Sequence, residues 1–534
     1  MIGSGPALEP APTGRFAPSE PMFGSANAAP ASPAPTVPAR FRSVTTEHLG
    51  QWTARSPNRI DALGFTGTDL GVSFAHRGRL WFLFGDSQSS TAYCSDSLAH
   101  TQLGPLPDQG LPQLEWVTRE GGHFAPITVP NVDLGFMNVA VEGLSIDDET
   151  AYLFASTQWS DELGRHGGSA LAHSQDAGLE RWTLDHYVET TKFVNVSVNR
   201  EGEHVYVWGS GEFRKSDVYL ARVPVSAIAD RDAWQYFRGF GPAGPEFGPG
   251  EDSARAVVTE GCVGELSARR HPRLGMYMLA YNCEEPRGIF LRTSDRPEGP
   301  YSDAVQLFEP WRDNGYEHFM HIAPKLSGRD DGLSDNGRDG ESGGEYGPYL
   351  VPEWFTEAPD GGVYIVYTLS SWNPYQVHLM RTLLVDPASP LAPTTTDPSA
   401  PDHPSLVAAN LSLRDMTSWS HAGDGFSTFE SDGVMVMSSE VAPLGPAATG
   451  TLWRDFTADT TVSSLEFDVQ GGDAEVLLIA GDEVVRRVTG HGQEIWWPVV
   501  FRLTSLRDRP LRVAIYDRAI DPWGFVAVRN LRLR

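Results

Sequence analysis

One unit recurs five times between residues 43 and 390: an apolar strand, a short polar corner, an aromatic strand ending in small residues, and an outer strand. In the first copy, Thr-Asp-Leu-Gly-Val-Ser-Phe-Ala (68–75) enters a His-Arg-Gly-Arg corner (76–79) and returns as Leu-Trp-Phe-Leu-Phe-Gly-Asp (80–86). Later corners fall at Asp147–Thr150, Asn199–Glu203, Pro272-Arg273 and Asp360–Gly362. Apolar and aromatic runs flanked by such turn residues read as antiparallel hairpins. The copies begin at Asp69, Glu142, Asn195, Glu265 and Glu353, and their spacing is too irregular for a stacked solenoid. Radial blades of about four strands tolerate variable loops, so the pattern predicts an all-β fold, a five-bladed β-propeller.

At 534 residues the chain exceeds one ordinary core. Residues 1–42 run in Ala, Pro, Gly and Ser and have little to bury, which predicts a disordered tether. The propeller is expected over 43–390 and a Pro-rich linker over 391–404. Short alternating strands over 405–534 then predict a jelly-roll-like β-sandwich. A Gly/Asp-rich insert at 327–346 misses the spacing of a calcium-binding EF-hand loop and reads as a surface loop.

A formal charge of −28 argues against nucleic-acid and anionic-membrane partners. No apolar run approaches the roughly 20 residues of a membrane span. No basic-then-apolar leader is visible at the N-terminus, while a tether before a β-rich domain suits a secreted or cell-surface protein. A monomer is expected. The three cysteines have no metal-type spacing, and no cofactor or metal is expected. Cys262 and Cys283 flank the hairpin that turns near Pro272-Arg273. A cross-strand disulfide is open to them, as are two free thiols; the bonded pair with Cys94 free is the expectation.

A turn on Arg77-Gly78 places Asp69 directly opposite Asp86, while a three-residue turn with Gly78 in the left-handed region shifts the pairing by one. Facing Cβ atoms lie roughly 4.5–5.5 Å apart, too close for two carboxylates to ionise freely. One then keeps a proton near neutrality, as acid/base cleavage of an acetal requires. Asp69 is expected as base and Asp86 as acid, with inversion, because an open channel mouth leaves room for water. A propeller binds small ligands where its inner strands converge. Glu142, Asn195 and Glu265 are therefore candidate substrate-binding residues, and Trp208, Tyr281, His321 and Trp372 candidate walls for sugar rings. There is no serine-nucleophile elbow and no phosphate-binding loop.

The first hairpin resembles the opening of domain-of-unknown-function family 4185. So do Trp208-Gly209-Ser210-Gly211, Gly264-Glu265-Leu266-Ser267, Arg296-Pro297-Glu298-Gly299-Pro300-Tyr301, and Leu369-Ser370-Ser371-Trp372-Asn373 with Tyr375. The resemblance spans roughly 60–385. It implies a five-bladed propeller and, through the part classed as glycoside hydrolase family 183, endo-hydrolysis of α-linked D-arabinofuranose chains. Substrates of that kind are arabinogalactan and lipoarabinomannan. The family's aspartate pair matches Asp69 and Asp86. The segments Ala448–Leu452 and Trp523–Arg529 are similar to galactose-binding-like modules. The competing readings are a propeller that only binds glycan, as a lectin or adhesin does, and a glycosidase acting on another furanose or a plant-type polysaccharide.

Overall fold

The computed structural model describes residues 34–389 and most of 413–533, apart from 322–342 and short stretches in both parts. Residues 1–33, most of the acidic insert and the Pro-rich linker lie outside the described residues. The extended regular structure among the described residues is β. Among the described residues there is no α-helix, only five short 3-10 turns, and no helix long and apolar enough to cross a membrane.

Five sheets of four to six strands lie within residues 42–385. Their first strands are Phe65–His76, Ala140–Ser145, Asn195–Glu201, Leu266–Arg270 and Glu345–Leu350. Each of these packs on the next, and the fifth packs back on the first, so they form a closed ring. Five apolar clusters fill the gaps between successive sheets. Phe82 and Phe84 of the first sheet, for example, pack on Trp354 and Val377 of the fifth. A sheet buried on both faces reads as a nearly continuous apolar run rather than an alternating one, as Leu80–Phe84 does. The fifth sheet takes its outermost strand from the N-terminus: Arg42–Gln51 lies antiparallel to Gln376–Val385.

The structure corrects two boundaries. Residues 34–42, expected in the tether, are ordered: Thr36 and Val37 pair with Tyr301 and Ser302, and Arg40 forms an ion pair with Asp295. The fifth sheet's first strand begins at Glu345, not near Glu353. Pro352, which has no N–H to give a ladder, opens a 3-10 turn there. The Cys262–Cys283 disulfide is present, with a Cα separation of 5.3 Å, and Cys94 is buried and outside any disulfide. Its partners are not opposed in one hairpin. Cys262 lies on Ala256–Val263 of the third sheet and Cys283 on Tyr277–Glu284 of the fourth, so the bond links two sheets.

Residues 420–533 form two five-stranded antiparallel sheets. Both contribute to one apolar cluster, with Leu452, Val476 and Ile515 from one sheet and Phe467, Phe501 and Val528 from the other.

Candidate active site

The first hairpin begins as the sequence predicts. Arg77 and Gly78 both have positive φ, as a two-residue type I′ turn requires, and the pairs from His76–Arg79 to Val72–Leu83 follow that register. Leu70 (φ 67°) and Gly71 (φ 86°) then introduce a bulge. Asp69 therefore faces Gly85 rather than Asp86. A side chain at Gly71 would combine a strained backbone with contact at 3.1 Å to the Thr368 methyl. Bulges re-aim side chains beside active sites, and this one takes Asp69 out of the directly facing pair with Asp86.

Asp69 is buried, and its Oδ2 accepts the Tyr346 hydroxyl at 2.8 Å. Burial drives its pKa well above the usual carboxylate range. The neighbouring Asp86 charge adds to the rise, while the Tyr346 and Tyr375 hydroxyls oppose it. Asp86 sits in a strained backbone (φ 39°) and is less enclosed. Its two carboxyl oxygens accept the Met137 N–H at 3.0 and 3.1 Å. Burial pushes Asp86 up to about 7, against that hydrogen bond. A third carboxyl, Asp96, lies behind the pair. Its Oδ1 accepts the Asp86 N–H at 3.2 Å and its Oδ2 accepts the Ala140 N–H at 2.6 Å.

Other acids border this cluster. Glu265 adds to the field on Asp69; its Oε1 pairs with Arg214 at 3.2 Å, and its buried Oε2 has no partner among the described residues. Arg214 also lies 5.1 Å over the Tyr346 ring. Glu345, at the start of the fifth sheet, is raised to about 7 by burial. His166 bonds the Met137 carbonyl at 2.5 Å, and burial lowers its proton affinity.

The other predicted residues divide by environment. Trp372 is half-buried, with its ring 5.6 Å from that of Tyr375. The His321 N–H donates to the neighbouring Asn373 carbonyl, so both candidates lie on the Tyr375 side of the cluster. Asn195 is buried opposite Ser210, whose hydroxyl bonds the Gly264 carbonyl next to Glu265. Glu142 is elsewhere in role: it is fully enclosed in a two-pronged ion pair with Arg269, at 2.6 and 2.8 Å, and cannot meet a ligand. Trp208 is fully buried, its indole N–H on the Tyr301 hydroxyl. Tyr281 is also core, with its hydroxyl on Glu260 of the neighbouring sheet. Both are corrections: large rings on central strands pack between sheets, where the apolar area buried is greatest. Sequence reasoning missed Asp96, Arg214, His166, Glu345 and Tyr346. Glu345 and Tyr346 open the fifth sheet's first strand, upstream of the strand that the sequence pattern predicts, and Asp96, Arg214 and His166 carry no local signal.

Among the described residues no group of three or more His, Cys, Asp or Glu side chains is placed to hold a metal ion. The model of the family described as a domain of unknown function, DUF4185, matches residues 55–381, which include every carboxyl of the cluster. The chain belongs to this family. No curated protein matches it. Among solved structures, this DUF4185 member is similar to an exo-β-1,3-galactanase of Phanerochaete chrysosporium, at 10% identity and a TM-score of 0.46, over 91% of this chain and 100% of that one. It is also similar to an arabinanase of Bacillus subtilis, at 12% identity and a TM-score of 0.33, over 60% of this chain and 96% of that one.

Proposed function

We propose that the chain is a glycoside hydrolase that cuts α-linked D-arabinofuranosyl polymers internally. In this reading the five sheets are the blades of a propeller with the carboxyl cluster at the mouth of its channel. The two C-terminal sheets are then a carbohydrate-binding sandwich. The observation that carries the proposal is Asp69 and Asp86, two interacting carboxyls in unequal surroundings. Paired acids whose environments separate their proton affinities divide into acid and base. The deeper Asp69 keeps its proton and gives it to the departing oxygen. Asp86, which ionises near 7 and accepts a backbone N–H on both oxygens, activates the attacking group. This exchanges the roles that strand position alone suggests. The Tyr346 hydroxyl then stabilises Asp69 as it becomes anionic. Arabinofuranose as the sugar follows from the resemblance in the motifs around Asp69, Glu265 and Trp372.

The test is digestion of arabinogalactan or lipoarabinomannan with product sizing. Release of oligosaccharides supports the proposal. Retention of the same polymers on a column of immobilised protein, with no release, would leave a lectin instead.

A further inference from the structure

We propose that the groove between the second and third sheets holds an extended run of glycan on one side of the cleaved bond, a site for a neutral, hydroxyl-rich chain. The identity of that chain rests on the hydrolase reading above. The groove has a volume of about 620 Å³ and is lined by Gln158, Ser160, His166, Thr191, Glu212 and Arg231, among others. That lies within the roughly 300–1,000 Å³ typical of ligand sites.

Its inner end meets the active site by two routes. His166 holds the carbonyl of Met137, whose N–H holds Asp86. The loop bearing Gly211 and Glu212 continues to Arg214, which pairs with Glu265. An aromatic wall stands at this junction: the Trp159 ring lies 5.0 Å from His166 and 5.8 Å from Phe213. Backbone strain marks the same path. Ten described non-glycine residues have positive φ, and five of them, Leu70, Asp86, Met137, Gln158 and Arg214, lie at the carboxyl cluster or this end of the groove. Strain concentrates at catalytic and ligand-clamping positions because the surrounding structure must hold it in place.

The lining chemistry selects the ligand class. Arg165 and Arg231 are set among Glu212, Glu251 and Asp252, so no single sign of charge prevails. Glu251 is already engaged by the N–H groups of Thr191 and Lys192 and the Thr190 hydroxyl, each at 2.8 Å. Interleaved donors and acceptors with nearly balanced charge, two basic against three acidic side chains, suit hydroxyl groups better than a phosphate or an ammonium.

The test uses the full chain with two variants at exposed or half-exposed positions: Ser160→Trp, which fills the groove, and Glu212→Ala with Arg231→Ala, which strips hydrogen-bonding groups from it. For each, kcat/KM is measured on arabinogalactan and on a short arabinofuranosyl oligosaccharide, and migration is followed in native gels containing the polymer. Losing two hydrogen bonds to a neutral ligand predicts a fall of about tenfold in the polymer-to-oligosaccharide ratio, through KM, and loss of polymer retardation. An unaltered ratio and unaltered retardation in both variants, with an active wild type, overturns the groove and leaves the hydrolase reading standing. A wild type that is inactive yet retarded, with retardation lost in Ser160→Trp, supports the groove and overturns hydrolysis. A wild type neither active nor retarded overturns both.

Discussion

Replacing Arg269 by Met tests whether Glu142 is a structural acid rather than a ligand for sugar. The Glu142 carboxylate is 1% exposed and accepts five hydrogen bonds: two from Arg269, and one each from the Ser197 hydroxyl and the Val198 and Gly143 N–H groups. Arg269 also reaches the Ser73 carbonyl, so this one pair ties together strands of the first four sheets. Removing one partner of a buried ion pair costs about 3–5 kcal/mol, because the remaining charge stays desolvated. Three of the five bonds survive in Arg269→Met, which places the loss near the lower end, about 3 kcal/mol. For a domain of this size the shift is about 1–2 °C per kcal/mol, so melting followed by circular dichroism should fall by about 3–6 °C. Adding Glu142→Gln should recover much of it, since a neutral amide no longer needs the counter-charge. Activity per folded molecule should be retained in both. A fall below about 1 °C, the equivalent of under 1 kcal/mol, would refute the structural role. So would loss of activity at temperatures where the variant is folded.

The pH dependence of kcat/KM should rise through about 7 as Asp86 ionises and fall at higher pH as Asp69 loses its proton. Tyr346→Phe removes a bond that favours the Asp69 anion, so it should move the alkaline limb upward and slow turnover about tenfold. Stability should fall as pH rises from about 4.5 to 7, because Asp86 and Glu345, raised to about 7, bind protons in the folded state that the unfolded chain releases earlier. Comparing melting at pH 5 and 7.5 in Asp86→Asn with Glu345→Gln should show a smaller difference than in the wild type; an equal difference contradicts the assignment. Cys262→Ser should destabilise by about 3 kcal/mol, the chain-entropy value for a loop of 21 residues, measured by denaturant unfolding. Titration of the unreduced, denatured wild type should find one thiol, Cys94.

The hairpin repeat was legible because strand, corner and aromatic return strand are local features. The Arg77-Gly78 turn and five pairs beyond it follow from residue types alone. The bulge at Leu70-Gly71 was not legible, since the group packed against Gly71 there, Thr368, lies nearly 300 positions away in the chain. The same limit explains the aromatic candidates. Trp208 and Trp372 both follow β-type patterns, and only packing shows that the first is enclosed between sheets and the second stands half-open beside Tyr375. Asp69 and Asp86 were found because they share one hairpin. Asp96 and Tyr346 were not, because the first reads as an ordinary strand polar residue and the second joins the site from the fifth sheet, 277 positions along the chain.

The most direct measurement is turnover of arabinogalactan by the wild type, Asp69→Asn, Asp86→Asn and Glu265→Gln, with products sized and each variant's melting recorded. The account predicts oligosaccharide release by the wild type and a fall of about two to four powers of ten in each Asp variant without loss of fold. Near-normal release by both Asp variants, with Glu265→Gln inactive, would contradict it and make the aspartate pair structural.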